Sequence, residues 1–279
     1  MRGGFIAQNQ DDSELQNYNF MQTDFFRETE ESLKKNYRMK RIEGVFNVVF
    51  NVEPKQKNQL YRQTKKLKID EVFPSHIQPI FTDSDHLNNL QSIIYESIYT
   101  TNENILCCAP TGAGKTNVAL MSIVRLINKN FDKQTQKVTG SFKIVYISPL
   151  KALATEIQRK FQKKLDFLGV VVREFTGDVA LTKKELASTH IIISTPEKWD
   201  VVTRKSEELN SMINLLIIDE IHLLDDERGR VLESLVARTV RLIEAKQCQI
   251  RLVGLSATLP NYIDVAKFLK VGENGLFFF

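Results

Sequence analysis

Residues 105–116 read ILCCAPTGAGKT, and the reading of this stretch decides the fold. It joins a short apolar run, 105–109, to a glycine-containing turn that opens a helical pattern at Lys115. An apolar run of that length, bounded by a turn signal, reads as a strand buried on both faces. Gly112 and Gly114 let the turn enter the left-handed region and aim its N–H groups inward. The N-terminus of the following helix adds partial positive charge at the same place. Strand, glycine turn and GKT together form a phosphate-binding loop in the context it requires. Lys115 is then placed to reach β- and γ-phosphates, and the Thr116 hydroxyl to ligate a bridging Mg²⁺. Thr111, Ala113 and Asn117 complete the candidate nucleotide contacts of this stretch. Ala109 stands where the first glycine of the strict G-x-x-x-x-G-K-[ST] pattern would be.

Outward from this loop, apolar runs recur at 142–148, 170–175, 191–194, 215–218 and 251–256. Helical segments at 115–129, 151–168, 181–187, 197–204 and 227–246 lie between them. Alternation of this kind predicts an α/β fold, a parallel sheet with helices on both faces. Ligands of such sheets bind beyond the carboxyl ends of the strands, so the turns after the strands are where chemistry is expected. The segment 1–75 differs in composition and reads as an N-terminal extension, partly disordered and partly packed on the main body. Within it, 24–40 has rough helical spacing, and 45–52 (VFNVVFNV) reads as a strand. The regular lobe is expected to occupy 76–279.

Composition narrows the class. The chain has 279 residues, 42% hydrophobic and 26% charged, which excludes a fibre, a coiled coil and a wholly disordered chain. No apolar run approaches the roughly 18 residues that span a bilayer, so no membrane partner is expected. The net charge, 38 Lys and Arg against 34 Asp and Glu, is +4, which permits a nucleic-acid partner without arguing for one. Cys107, Cys108 and Cys248 fit neither a disulfide framework nor a zinc spacing, which points to a nuclear or cytoplasmic location.

The run ending at Ile218 is followed by Asp219-Glu220-Ile221-His222. Two acids directly after a buried strand put two carboxylates on the carboxyl edge. Asp219 is the candidate to hold Mg²⁺, and Glu220 to orient and deprotonate an attacking water. His222 is either a link to a neighbouring element or a structural histidine. Loop and acidic turn together imply an Mg-nucleoside-triphosphatase.

The order APTGAGKT (109–116), SPLKALATE (148–156), FTGD (175–178), TPEKWD (195–200), DEIH (219–222) and SATLPN (256–261) resembles superfamily 2 DExH-box helicases, and within them the Ski-like branch. The resemblance covers residues 40–279 and implies a RecA-like lobe that uses ATP with Mg²⁺. It implies that Gln91 reads the adenine and Phe81 stacks on it. Each has a plainer reading, Gln91 as a helix-surface residue and Phe81 as a core aromatic. It implies a nucleic-acid face built from Pro149, Leu150 and Lys151, from Thr176, Gly177 and Asp178, and from Thr195, Pro196, Glu197 and Lys198. Such a face grips phosphate and sugar, so binding to single-stranded or partly duplex RNA or DNA is expected to be sequence-independent and salt-sensitive. Ser256 and Thr258 are implied to couple the acidic turn to that face, or to cap the next helix. Trp199 reads as a packing residue, and Arg159, Lys160, Lys163 and Lys164 as a solvated face.

The expectation is therefore the first RecA-like lobe of an ATP-dependent helicase with 3′ to 5′ polarity. A second lobe supplying an arginine finger would lie beyond residue 279, within a multiprotein complex, and the isolated lobe would turn over poorly. The competing expectation is a nucleotide-binding regulatory or protein-interaction module without turnover.

Overall fold

The computed structural model describes residues 64–140, 142–177, 182–205, 212–225, 229–246, 249–257, 259 and 261–279. All belong to one compact unit, Asn47–Phe279. The expected helix at 24–40, the expected strand at 45–52, and Cys248, Asp178 and Thr258 lie outside the described residues.

The apolar runs become strands β1 (Ile105–Cys108), β4 (Lys143–Ile147), β5 (Val172–Phe175), β6 (Ile191–Ser194), β7 (Ile213–Ile218) and β8 (Arg251–Ser256). With β9 (Leu276–Phe278) they form one parallel seven-stranded sheet in the order β5-β6-β4-β7-β8-β1-β9. A separate antiparallel hairpin, β2 (Phe131–Asp132) and β3 (Lys137–Val138), interrupts the first crossover. Neither the hairpin nor β9 stands out in the sequence. The hairpin is polar and two residues per strand, and β9 is three residues long, too short for a periodicity to show.

The helices are α1 (Ile69–Val72), α2 (Asn89–Tyr95), α3 (Lys115–Lys129), α4 (Lys151–Leu165), α5 (Lys183–Ser188), α6 (Pro196–Lys205), α7 (Gly229–Lys246) and α8 (Tyr262–Phe268). Successive strand residues face opposite sides of the sheet. Ile105, Cys107, Ile144, Tyr146, Leu215, Ile217, Val253 and Leu255 join the core formed with α2, α3 and α4. On the other face, Leu106 and Gly254 meet Leu269 and Ile221. A Cβ on Gly254 would lie 2.7 Å from Leu269 Cδ1, so glycine is what lets the chain after α8 close on the sheet. The body also begins before residue 76. Ile69 and Phe73 are buried in the main core, and Phe73 stacks on Phe81 at 4.6 Å. Helix α4 ends three residues before the predicted 168, because Asp166–Leu168 tightens to a 3₁₀ turn closed by Gly169 at φ 77°.

Neighbouring strand ends are level. Cys108 is opposite Ser256, Ile218 opposite Gly254, and Ile147 opposite Ile218. The turns after β1, β7, β8 and β4 therefore emerge side by side, and the site is assembled there.

Candidate functional site

The phosphate-binding loop leaves β1 at Ala109, whose N–H donates to the Ser256 carbonyl (3.0 Å). Ala109 thus behaves as the last residue of a buried strand, and its backbone is not left-handed. That explains why no glycine is needed at this position. Gly112 and Gly114 do carry left-handed backbone, at φ 81° and 95°. A side chain on Gly114 would be strained by conformation, and its Cβ would sit 2.6 Å from Gln91 Nε2. Gly114 is also the N-cap of α3, where no side chain satisfies the first helical N–H groups. Lys115 is buried, and its Nζ donates to the carbonyls of Ala109 (2.9 Å) and Pro110 (3.3 Å). The ammonium is folded back over its own loop.

Gln91 does not lie on the helix surface. It is the third residue of a capping box on α2: its backbone N–H donates to Asn88 Oδ1 (2.9 Å), and its Oε1 accepts from the Asn88 N–H (3.0 Å). Gln91 Nε2 also donates to the Gly114 carbonyl (3.3 Å), and Asn88 Nδ2 to the Ala113 carbonyl (3.0 Å). One amide hydrogen of Gln91 remains for another acceptor. Phe81 is buried, its ring covered on one face by Phe73. Phe81, Gln91, Asn88, Asn117, His86 and Leu87 are among the walls of a cleft of about 510 Å³ beside the loop. That volume suits a small organic ligand.

The acidic turn is held from three sides. The Asp219 N–H donates to Ile147 O (2.9 Å), the Glu220 N–H to Asp219 Oδ1 (3.0 Å), and Tyr146 Oη to Asp219 Oδ2 (2.6 Å). Burial pushes the Asp219 carboxyl above its ordinary range, and the Glu220 charge pushes the same way; the Tyr146 hydrogen bond and Lys115 pull it back. Burial likewise drives the Tyr146 phenol well above its usual value, with Asp219 adding to the effect. Glu220 sits at φ 51°, a left-handed backbone that costs a non-glycine residue about 1–3 kcal/mol. Its Oε2 is buried, makes no hydrogen bond among the described residues and lies 3.3 Å from His222 Nδ1. His222 Nδ1 accepts from the Ala257 N–H (3.4 Å), which places the neutral ring's proton on Nε2. The imidazole therefore touches both the acidic turn and the turn after β8. Ser256 Oγ, between them, is buried with no hydrogen-bond partner among the described residues.

The expected nucleic-acid residues group at the other end of the carboxyl edge, after β4, β5 and β6. Pro149 is buried, whereas Leu150 and Lys151 are exposed at the start of α4. Gly177 is exposed, and its carbonyl accepts from Lys198 Nζ (3.3 Å). Lys198 also lies over the Phe175 ring at 4.9 Å, joining the start of α6 to the turn after β5. Thr195 is half-buried, Pro196 is buried at the first position of α6, and Glu197 is exposed. Thr176 departs from a gripping role: it is fully buried, and its hydroxyl donates inward to Glu174 Oε1 (2.5 Å). Only its backbone remains to meet a ligand. Trp199 is 1% exposed and packs, as its sequence suggested. In the basic helix, Arg159, Lys160 and Lys163 are exposed, but Lys164 donates to Ile80 O and pairs with Asp83 at 3.1 Å.

Sequence reasoning passed over Asn88 and Tyr146. Asn88 had a local signal, the capping pattern N-x-x-Q across 88–91. Tyr146 had none, because its bond to Asp219 exists only once β4 lies beside β7. Among the described residues no cluster of three or more His, Cys, Asp or Glu could hold a metal on its own.

The sequence profile described as DEAD/DEAH box helicase matches residues 88–265. Activating signal cointegrator 1 complex subunit 3 of Dictyostelium discoideum is 52% identical over 217 residues, which are 77% of this chain and 10% of that protein. The DExH-box ATP-dependent RNA helicase DExH14 of Arabidopsis thaliana is 49% identical over 244 residues, 86% of this chain and 11% of that protein. The chain thus spans about a tenth of the length of these curated relatives. The crystal structure of the DUF1998 helicase MrfA bound to DNA superposes with a TM-score of 0.63 at 19% identity, over 75% of this chain and 30% of that one. At that identity it shows shared architecture, a RecA-like sheet covered by helices.

Proposed function

This chain belongs to the DEAD/DEAH box helicase family, and from that premise we propose that it is the ATP-binding first lobe of an ATP-dependent nucleic-acid helicase. The observation that carries the reading is the convergence at one sheet edge of Lys115, Asp219 and Glu220. Lys115 is close enough for its charge to act on Asp219. The residues fit a magnesium nucleotide. The unfilled N-cap of α3, the left-handed Gly112 and Gly114, and an ammonium bonded to its own loop offer donors to phosphate oxygens. Mg²⁺ commonly takes one or two protein oxygens and completes its shell with water and phosphate, so Thr116 and Asp219 suffice as donors. A bound Mg²⁺-triphosphate supplies the electrophilic phosphorus and the charge that offsets its oxygens.

The chain's own residues do the rest. Glu220, held in a strained backbone with a partly unsatisfied carboxylate, receives the proton of the attacking water. Tyr146 and the Glu220 N–H hold both oxygens of Asp219 in place. The adenine enters the cleft beside Gln91, where the remaining amide hydrogen of Gln91 meets it and Phe81 lines the wall. His222, bonded to Ala257, ties the acidic turn to the turn after β8. The starts of α4 and α6 and the Gly177 turn take the backbone of one strand. RNA is favoured as that strand by the name of the Arabidopsis relative, and assembly into a multiprotein complex by that of the Dictyostelium relative.

The test is polynucleotide-stimulated ATP hydrolysis by the full-length protein and by its Glu220→Gln variant, with a nucleotide-binding assay alongside. Stimulated turnover that the substitution abolishes, with binding retained, supports the assignment. Nucleotide binding that no RNA or DNA ever converts to turnover would favour the regulatory-module reading.

A further inference from the structure

The opposite edge of the sheet carries a second cavity, of about 560 Å³, between the later turns of α3 and α7 and the first residues of β7 and β8. Its base is apolar, from Leu126, Val240, Ile243 and Ile250. Lys129 and Lys270 are the exposed cations of its rim, half-buried Arg125, which donates to Asn102 and Thr100, and nearly buried Arg251 stand on its wall, and Glu244 is the one acid among the described wall residues. Glu244 lies 4.0 Å from Lys270, at the edge of ion-pair distance, with both side chains more than half exposed. Arg251 is nearly buried and spends three donors on the carbonyls of Ser97, Ile98 and Glu103.

We propose that this cavity docks an acidic segment of a protein partner, with carboxylates on the cationic rim and one or two aliphatic side chains on the floor.

Charge and shape support that occupant over others. The cations crowd one another: burial lowers the Arg251 pKa to about 9 and the nearby Arg125 charge adds to this, with Glu103 offsetting part of it. Lys129 is lowered by burial and then by Arg125 and Arg251. An arriving carboxylate relieves that repulsion. Lys129 lies in the last turn of α3 and Lys270 follows the C-cap of α8, so two helix C-termini bring a cation to the cavity. Lys270 closes α8 with left-handed backbone, φ 52°: its N–H donates to the Lys267 carbonyl and the Val271 N–H to the Ala266 carbonyl, while Asn104 Nδ2 donates to the Lys270 carbonyl (3.3 Å). Finally, an apolar floor beneath a charged rim suits a folded peptide side chain better than a phosphate backbone, which asks for an open polar stripe. The cavity also faces away from the turns assigned to nucleotide and strand, so the partner can stay bound through a catalytic cycle.

The experiment uses the 279-residue chain and a fluorescein-labelled heptapeptide of alternating glutamate and leucine, read by fluorescence anisotropy at low salt. The Lys129→Glu/Lys270→Glu double variant is compared, both positions being exposed and outside the nucleotide machinery. A fluorescent ATP analogue on the same samples reports whether each remains folded. The proposal expects saturable peptide binding, weakened at least about tenfold in the double variant, with analogue binding unchanged and no binding of the matching lysine–leucine peptide. It is overturned by absence of saturable binding to the wild-type chain or by equal affinity in the variant. It is also overturned if a single-stranded RNA oligonucleotide displaces the peptide and loses affinity with it, which would make the surface a nucleic-acid contact. Analogue binding stands apart from these outcomes, so failure here leaves the nucleotide assignment separately readable.

Discussion

The two halves of the carboxyl edge are built differently. After β1 and β7 the backbone turns left-handed and the charges are partly desolvated. Gly112, Gly114 and Glu220 all have positive φ, Lys115 is buried, and Asp219 sits above its normal pKa. After β4, β5 and β6 the described turns contain no residue with positive φ. They expose Leu150, Lys151, Gly177 and Glu197 and open onto ordinary helix starts. The contrast fits the tasks proposed for the two halves. Phosphoryl chemistry needs groups fixed in a low-dielectric place before the reaction begins. A strand that must slide needs donors on a surface, where each contact is weak and replaceable.

Substitutions on the two halves should therefore behave differently. Glu220→Gln keeps the shape and removes the proposed base, so kcat should fall by about 10²–10⁴ with nucleotide affinity kept. An equally large loss from Lys151→Ala would erase the distinction. Gly114→Ala must force a side chain into a left-handed position against Gln91 and Asn88, and should cost about 1–3 kcal/mol in urea unfolding, together with nucleotide binding.

Asp219→Asn sharpens the electrostatic side of the comparison. The folded-state pKa of Asp219 is raised, so its favourable, protonated state is present at low pH and its contribution is lost as pH rises through that pKa. The variant should be the more stable chain at neutral pH, with the difference shrinking as pH falls through the raised folded pKa and gone below about pH 4, the unfolded value. An acid-side maximum in the difference would break the account. The smallest effect is expected at Lys151→Ala: stability within about 0.5 kcal/mol, nucleic-acid affinity lowered a few-fold, and the salt slope reduced by about one.

Much of this arrangement was legible in the chain. Six of seven sheet strands, the phosphate loop and the acidic turn follow from apolar runs and the glycines between them, because local backbone chemistry dictates each. α3 was legible to the residue, since GKT starts it and Asn130 ends its apolar stripe. β9 was not, because three residues show no period and its stability comes from pairing with β1. The inward turn of the Thr176 hydroxyl was not legible either. Only the fold shows Glu174 accepting from both Thr176 and Thr155.

The sequence by itself determined which residues could do chemistry, because that depends on residue type, on glycine conformation and on the residues placed directly after a buried strand. Tertiary structure decided how those groups are tuned. The strand order sets Tyr146 beside Asp219, Ser256 beside Ala109 and His222 beside Ala257, pairings between residues 35 to 147 apart in sequence. It also gathers Arg125, Lys129, Arg251 and Lys270 around one cavity. Burial and long-range electrostatics are properties of neighbours in space, and no spacing along the chain encodes them.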